Sequence, residues 1–256
     1  MKTLTMALLG KGGVGKTVLS ALIGRAYSDR GSRVLFVDAD PARGLTSALG
    51  AIPVKTIGEA REEIISKARS AGNEKDRNEL SESIDYLLME SLYESPAFSL
   101  ITMGSTSSLG CFCPVNSLLR ETIRAMAGNY DVIVIDAEAG IEQVNRQVVE
   151  TVDYPIIVTD NSMRGASTAL LIRDIIKRVP GMAPVETGVV FNRVESGAHG
   201  LVRVIEESGL AFYGTVGPDP EITAIDVKGE PLFSVCASAP SLSAVKGILS
   251  RIEMSA

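Results

Sequence analysis

No stretch of this 256-residue sequence reaches the roughly 18 consecutive apolar residues of a membrane-spanning helix, so a helical membrane protein is not expected. Cysteine is scarce: there are three, and an odd number does not make a disulfide framework. Reduced thiols for packing, metal binding or redox work are expected instead. Positive charge is short as well, with a formal net charge of −6, which argues against a surface built to neutralise nucleic-acid phosphates. The single histidine, His199, lies between Ala198 and Gly200 in an expected surface loop, where exposure is favoured over ligation. The opening MKTLTMALLG runs into a glycine loop rather than a small-residue cleavage site, so a cytoplasmic protein is expected.

What is present is material for a buried sheet: 45% apolar residues, 22% charged, and 24 glycines for tight strand-to-helix turns. Short β-branched apolar runs at Leu4 to Leu9, Val34 to Val37, Phe98 to Met103, Val132 to Ile135, Pro155 to Val158 and Gly188 to Phe191 read as buried parallel strands. Helical patterns lie between them, at Val18 to Tyr27, Leu118 to Met126, Ala166 to Val179 and Leu201 to Ser208. This alternation predicts an α/β fold, a mostly parallel central sheet with helices on both faces, in one domain over 1–256. The segment 57–95, rich in Glu, Lys, Arg and Ser, breaks the rhythm and reads as a helical insertion. A last helix, Leu242 to Met254, carries an apolar stripe. With only Lys246 and Arg251 basic and no aromatic anchor, that stripe fits a protein core better than a membrane surface.

The sequence GKGGVGKT at 10–17 places Gly10, Gly15, Lys16 and Thr17 in the G-x-x-x-x-G-K-[ST] pattern, after an expected strand and before an expected helix. Such a P-loop wraps phosphates with the backbone N–H groups of Gly12, Gly13, Val14, Gly15 and their neighbours at a helix N-terminus, while Lys16 meets the β and γ oxygens. Thr17 offers a hydroxyl to magnesium. Asp38 and Asp40, in Val37-Asp38-Ala39-Asp40-Pro41, end the second strand near the sheet edge where ligands bind in this architecture. Asp136 closes Val132 to Ile135 and precedes Ala137-Glu138-Ala139-Gly140, a D-x-x-x-G run suited to a metal-side carboxylate and a movable loop. By itself Asp38 is also compatible with a capping residue. Asn192 and Arg193 follow another strand-like run, and Pro218 and Asp219 follow a further apolar segment; a strand-end Asn read alone is most often a turn residue.

Outside these loops the least generic feature is Gly110-Cys111-Phe112-Cys113-Pro114, two thiols at an expected loop-to-helix junction. Two thiolates make half of a tetrahedral site, which a two-fold dimer would complete for zinc, nickel or an iron–sulfur cluster. Packing of two small apolar residues is the alternative. Pro114 fits the first turn of the following helix.

With Lys11 the loop takes the K-G-G-x-G-K-T form and resembles the deviant Walker A ATPases, the group of MinD, ParA and nitrogenase iron proteins. That resemblance implies ATP or ADP and magnesium as ligands, and a nucleotide-dependent homodimer in which Lys11 reaches the partner's phosphates. It further implies that Asp40 positions the attacking water and that Asp38 and Asp136 serve the magnesium side. Asn192, Arg193, Pro218 and Asp219 would serve the adenine.

Adding Asp-Ala-Asp-Pro, Gly-Cys-x-Cys-Pro-x-Asn and Glu138-Ala139-Gly140, the chain resembles, nearly end to end, the CooC family, nickel-insertion ATPases that mature carbon monoxide dehydrogenase. This implies that Cys111 and Cys113 hold nickel or zinc and pass it to an apo-enzyme, with neither nucleic acid nor membrane as partner. Val18, in place of a second hydroxyl after the P-loop lysine, and Ala42-Arg43-Gly44, in place of an Asn-containing switch I, depart from that family. Two rival readings remain: an iron–sulfur reductase, against which Ile141 to Glu150 holds no cysteine and Cys236 reads as a packing residue, and a MinD/ParA-like positioning ATPase.

Overall fold

The computed structural model describes residues 3–70, 89–104, 113–138, 152–179, 184–195 and 199–254. Among the described residues eight strands form one sheet: β1 (Leu4–Leu9), β2 (Val34–Ala39), β3 (Leu92–Glu94), β4 (Ser99–Thr102), β5 (Val132–Ala137), β6 (Tyr154–Thr159), β7 (Gly188–Asn192) and β8 (Ala211–Val216). Their spatial order is β3-β4-β2-β5-β1-β6-β7-β8, with every neighbour parallel except the antiparallel β3–β4 pair. The helices are α1 (Lys16–Ser28), α2 (Gly44–Ala48), α3 (Ile57–Ser70), α4 (Cys113–Met126), α5 (Met163–Ile176), α6 (His199–Glu207), α7 (Pro220–Lys228) and α8 (Pro240–Met254).

All six residues of β1, β2, β5 and β6 but Leu4 are buried, because helices cover both faces and leave no polar side for alternation. Parity sorts their side chains. Met6, Leu8, Val34, Phe36, Val132 and Val134 point to the face covered by α1 and α8, while Ala7, Leu35, Val37, Ile133 and Ile135 face α3 and α4. A third apolar cluster packs α5 and α6 on the far half of that second face, around Ile157, Val189 and Phe191. The next inward step along β2 and β5 after Phe36 and Val134 is Asp38 and Asp136, direct register partners. Both carboxylates therefore lie on the α1 face.

The stripe Leu242, Val245, Ile248, Leu249 and Ile252 of α8 is buried in the core against α1 and β8. It belongs to the packing, and among the described residues no helix is long and apolar enough to cross a membrane. The expected insertion 57–95 is helical over α3 but ends in the edge strand β3, whose three residues are too few to show a period. Residues 71–88 of it lie outside the described residues. His199 opens α6 instead of lying in a loop, and Cys236, expected to pack, is exposed, with its N–H on Glu221 at 2.6 Å.

Close packing of α1 on the sheet depends on Gly24, where an added Cβ would sit 2.0 Å from the Phe36 ring. Phe36 is fully buried among Phe98 and Phe233 and has nowhere to retreat. Gly24→Ala is expected to cost about 1–3 kcal/mol of stability by overpacking, read as a lower urea midpoint with an unchanged slope.

Candidate nucleotide site

The loop after β1 turns at the centre of the sheet, where strand order reverses between β5 and β6, the place where open α/β sheets bind ligands. Its path needs two glycines in particular. Gly10, at φ 142°, runs so close to β6 that a Cβ would meet the Val158 carbonyl oxygen at 2.2 Å. Gly15, at φ 88°, is the residue before α1, and a Cβ there would strike Asn192 Nδ2 at 2.3 Å. No side chain caps α1, so the dipole and N–H groups of its first turn serve the loop.

Lys16 is buried, with Nζ donating to the Gly10 and Lys11 carbonyls at 3.3 and 3.1 Å. Burial lowers its pKa, opposed by the charges of Asp136, Asp40 and Glu138. Thr17 Oγ1 donates to Asp136 Oδ2 at 2.7 Å, and Ser20 Oγ, one turn along α1, donates to Asp136 Oδ1 at 3.2 Å. Burial nevertheless pushes the Asp136 carboxyl up to about 6. A buried carboxylate joined to a hydroxyl beside a phosphate loop is a donor set that fits magnesium, whose charge would relieve that desolvation.

Asp38 is fully buried and accepts from Thr46 N and Thr46 Oγ1, both at 2.7 Å, and from Asp40 N at 3.2 Å. Burial raises its pKa in spite of those donors. Its place is beneath the Asp40–Arg43 turn, fastening α2 to β2. Asp40 is half-buried, with Oδ1 accepting from Ala42 N at 2.8 Å. Lys11, Gly12 and Gly13 are exposed, and Lys11 Nζ donates to the Arg164 carbonyl at 3.3 Å.

Beside α1 opens a cavity of about 390 Å³, lined by Val18, Leu19, Leu22, Asn192, Arg193, Val216, Pro218, Asp219 and residues of α7. The two stretches expected on the adenine side thus meet at one cavity beside α1, and Asn192 and Arg193 also reach the phosphate loop. Asn192 Nδ2 donates to the Val14 carbonyl at 2.8 Å, and Arg193 Nη1 to the Gly13 carbonyl at 3.4 Å. Asp219 caps α7 through Glu221 N and holds Ser241 N, each at 3.0 Å, so both its oxygens have protein partners. Val18, the residue at which the sequence departs from the CooC family's hydroxyl, forms part of the cavity wall and makes it apolar there.

Ser20, Thr46 and the α7 wall of Ile222, Thr223 and Asp226 were not singled out from the sequence. Ser20 had a signal, standing three residues after Thr17 on the same helical face. Thr46 had none, because its partner Asp38 comes from another element. Cys113 begins α4, with Pro114 in the first turn; Cys111 and Gly140 lie outside the described residues.

The CobQ/CobB/MinD/ParA nucleotide-binding domain family matches residues 5–232. An uncharacterized ATP-binding protein of Methanocaldococcus jannaschii is 35% identical over 237 residues, 90% of each chain. The carbon monoxide dehydrogenase accessory protein CooC of Rhodospirillum rubrum is 30% identical over 238 residues, 81% of this chain and 89% of the relative. Among solved structures, the cell division ATPase MinD of Pyrococcus furiosus superposes with a TM-score of 0.71 at 21% identity over 100% of both chains. MinD of Pyrococcus horikoshii, complexed with Mg-ADP, gives 0.69 at 20% over 99% of both. At those identities the structural likeness is one of fold. The glycine loop on β1, the paired carboxylates of β2 and β5 and the match over 5–232 lead to one conclusion: the chain belongs to the CobQ/CobB/MinD/ParA nucleotide-binding family and is a P-loop ATPase.

Proposed function

We propose that this ATPase is a cytoplasmic metal carrier, a nucleotide-dependent homodimer whose Cys111 and Cys113 hold nickel or zinc for delivery to an apo-enzyme such as carbon monoxide dehydrogenase. The observation that carries the reading is the position of Cys113 at the start of α4, after β4. In a parallel β4-α4 connection that is the same sheet edge on which β1, β2 and β5 present the phosphate loop and its carboxylates. The 30% identity to CooC of Rhodospirillum rubrum supports the choice of cargo.

In this reading the whole of 1–256 acts as one unit. Lys16 and Lys11, the latter from the partner, neutralise the phosphates, and Asp40 orients the attacking water. Thr17 and Asp136 hold magnesium, which when bound supplies charge neutralisation at the transferred phosphoryl group. The cavity beside α1 takes the adenine, with Asn192 and Arg193 joining base and phosphate loops.

Anaerobic titration with nickel or zinc is expected to give one ion per two chains, lost in Cys111→Ser/Cys113→Ser. Equal binding by both proteins would contradict the carrier. A brown protein with iron and acid-labile sulfide would replace it with an iron–sulfur reductase. Normal function of the double variant in its host would favour a positioning ATPase.

A further inference from the structure

Among the described residues only Arg43 and Arg193 combine a side chain with a positive φ, 57° and 59°. Such backbone persists where its surroundings hold it, typically beside functional loops. Arg43 N donates to the Asp40 carbonyl at 2.9 Å, and its own carbonyl accepts from Ser47 N at 3.1 Å, so it joins the Asp40 turn to α2. Its Nη2 lies 3.6 Å from Glu59 Oε1 on α3.

Glu59 is itself held in place. Its Oε2 accepts from Thr56 N at 2.7 Å and Thr56 Oγ1 at 2.8 Å, while Glu59 N donates to Thr56 Oγ1 at 3.2 Å, a reciprocal capping box. Thr56 is wedged against Gly104, where a Cβ would fall 2.5 Å from its Oγ1. One carboxylate oxygen is thus committed to the helix end, and the other faces switch I from a fixed direction.

The geometry points to Glu59 as a positioning residue for ATP turnover: clamped by its capping box, it tethers Arg43 and holds the Asp40–Arg43 turn that aims the Asp40 carboxylate beside Lys16. This rests on the reading of Asp40 as the group that orients water. The departure at Ala42-Arg43-Gly44 then has a purpose, since an arginine reaches α3 from this turn. Both side chains are exposed by 41% and 52%, so the pair is weak and its effect is a few-fold.

Two substitutions isolate the tether. Glu59→Gln keeps an acceptor for Thr56 but loses the charge, and Arg43→Gly keeps the left-handed backbone while removing the guanidinium. Each is expected to lower kcat by about threefold to fivefold, with KM for ATP within about twofold and the melting temperature unchanged. The double variant should be no slower than either single one. An unchanged kcat in both, losses that multiply, or a fall in melting temperature that accounts for the loss would overturn the proposal. Asp40→Ala in the same assay separates two failures. Turnover kept there overturns the Asp40 reading and the positioning role with it. Turnover lost there but kept in Glu59→Gln overturns the tether alone.

Discussion

Lys16→Met is expected to lower ATP turnover by about 10²–10³-fold, the usual loss when one preorganised charge is removed from a developing negative centre. Lys16 is the buried cation of the loop, directed by the Gly10 and Lys11 carbonyls and set against Asp136, Asp40 and Glu138. An exposed lysine would be interchangeable with solvent ions. A buried one has already lost its hydration, and burial lowering its pKa reflects how little water competes for it. A steady-state phosphate-release assay measures the loss, and a thermal melt checks that the variant is folded. Turnover within tenfold of wild type would show that phosphate transfer does not take place at this loop.

Asp136→Asn is expected to do two opposite things: stabilise the protein without metal and nucleotide, and remove magnesium-dependent turnover. The carboxyl titrates at about 6 in the folded chain instead of an ordinary 3.8, so the folded state binds more protons than the unfolded one between those values. Its stability contribution is full below about pH 4 and lost as pH rises through about 6. Two units correspond to roughly 3 kcal/mol. That figure already contains the attraction of Lys16 and the Thr17 and Ser20 hydrogen bonds, so it is the upper bound of the gain at pH 7. Melting temperatures of the two proteins should converge toward pH 4 and separate above pH 6. A variant less stable than wild type at pH 7 would mean that the Thr17 and Ser20 hydrogen bonds outweigh the desolvation of the carboxylate.

These two residues were legible in the sequence because the features that mark them are local. Lys16 stands in a loop whose glycines are required by a carbonyl of β6 and an amide of β7. Asp38 and Asp136 each end an unbroken apolar run, and a run with no polar alternation already implies a strand covered on both faces. The elements missed were those without such a mark. β8 reads Ala-Phe-Tyr-Gly-Thr-Val, half-exposed at the sheet's edge and interrupted by Gly214 at φ 146°. α2 is five residues long with glycine first, too short to show a helical period. Cys236 looked like core because cysteine usually packs, yet it follows a short turn at the surface.

The site was legible as a set of loops but not as a set of bonds. Thr46 on Asp38, Ser20 on Asp136 and Glu59 on Arg43 all pair residues from different elements. Their partners become visible only when β2, β5, α1 and α3 have been placed. The same holds for the cavity, whose α7 wall comes from a helix that the apolar pattern did not reveal.

The central claim is that the nucleotide at Lys16 governs a metal held by Cys111 and Cys113, and nickel affinity measured anaerobically in each nucleotide state tests it most directly. The account predicts one ion per two chains, with a dissociation constant at least tenfold different between ADP and a non-hydrolysable ATP analogue, and no such difference in Lys16→Met. Nickel binding of equal strength in both nucleotide states would contradict it.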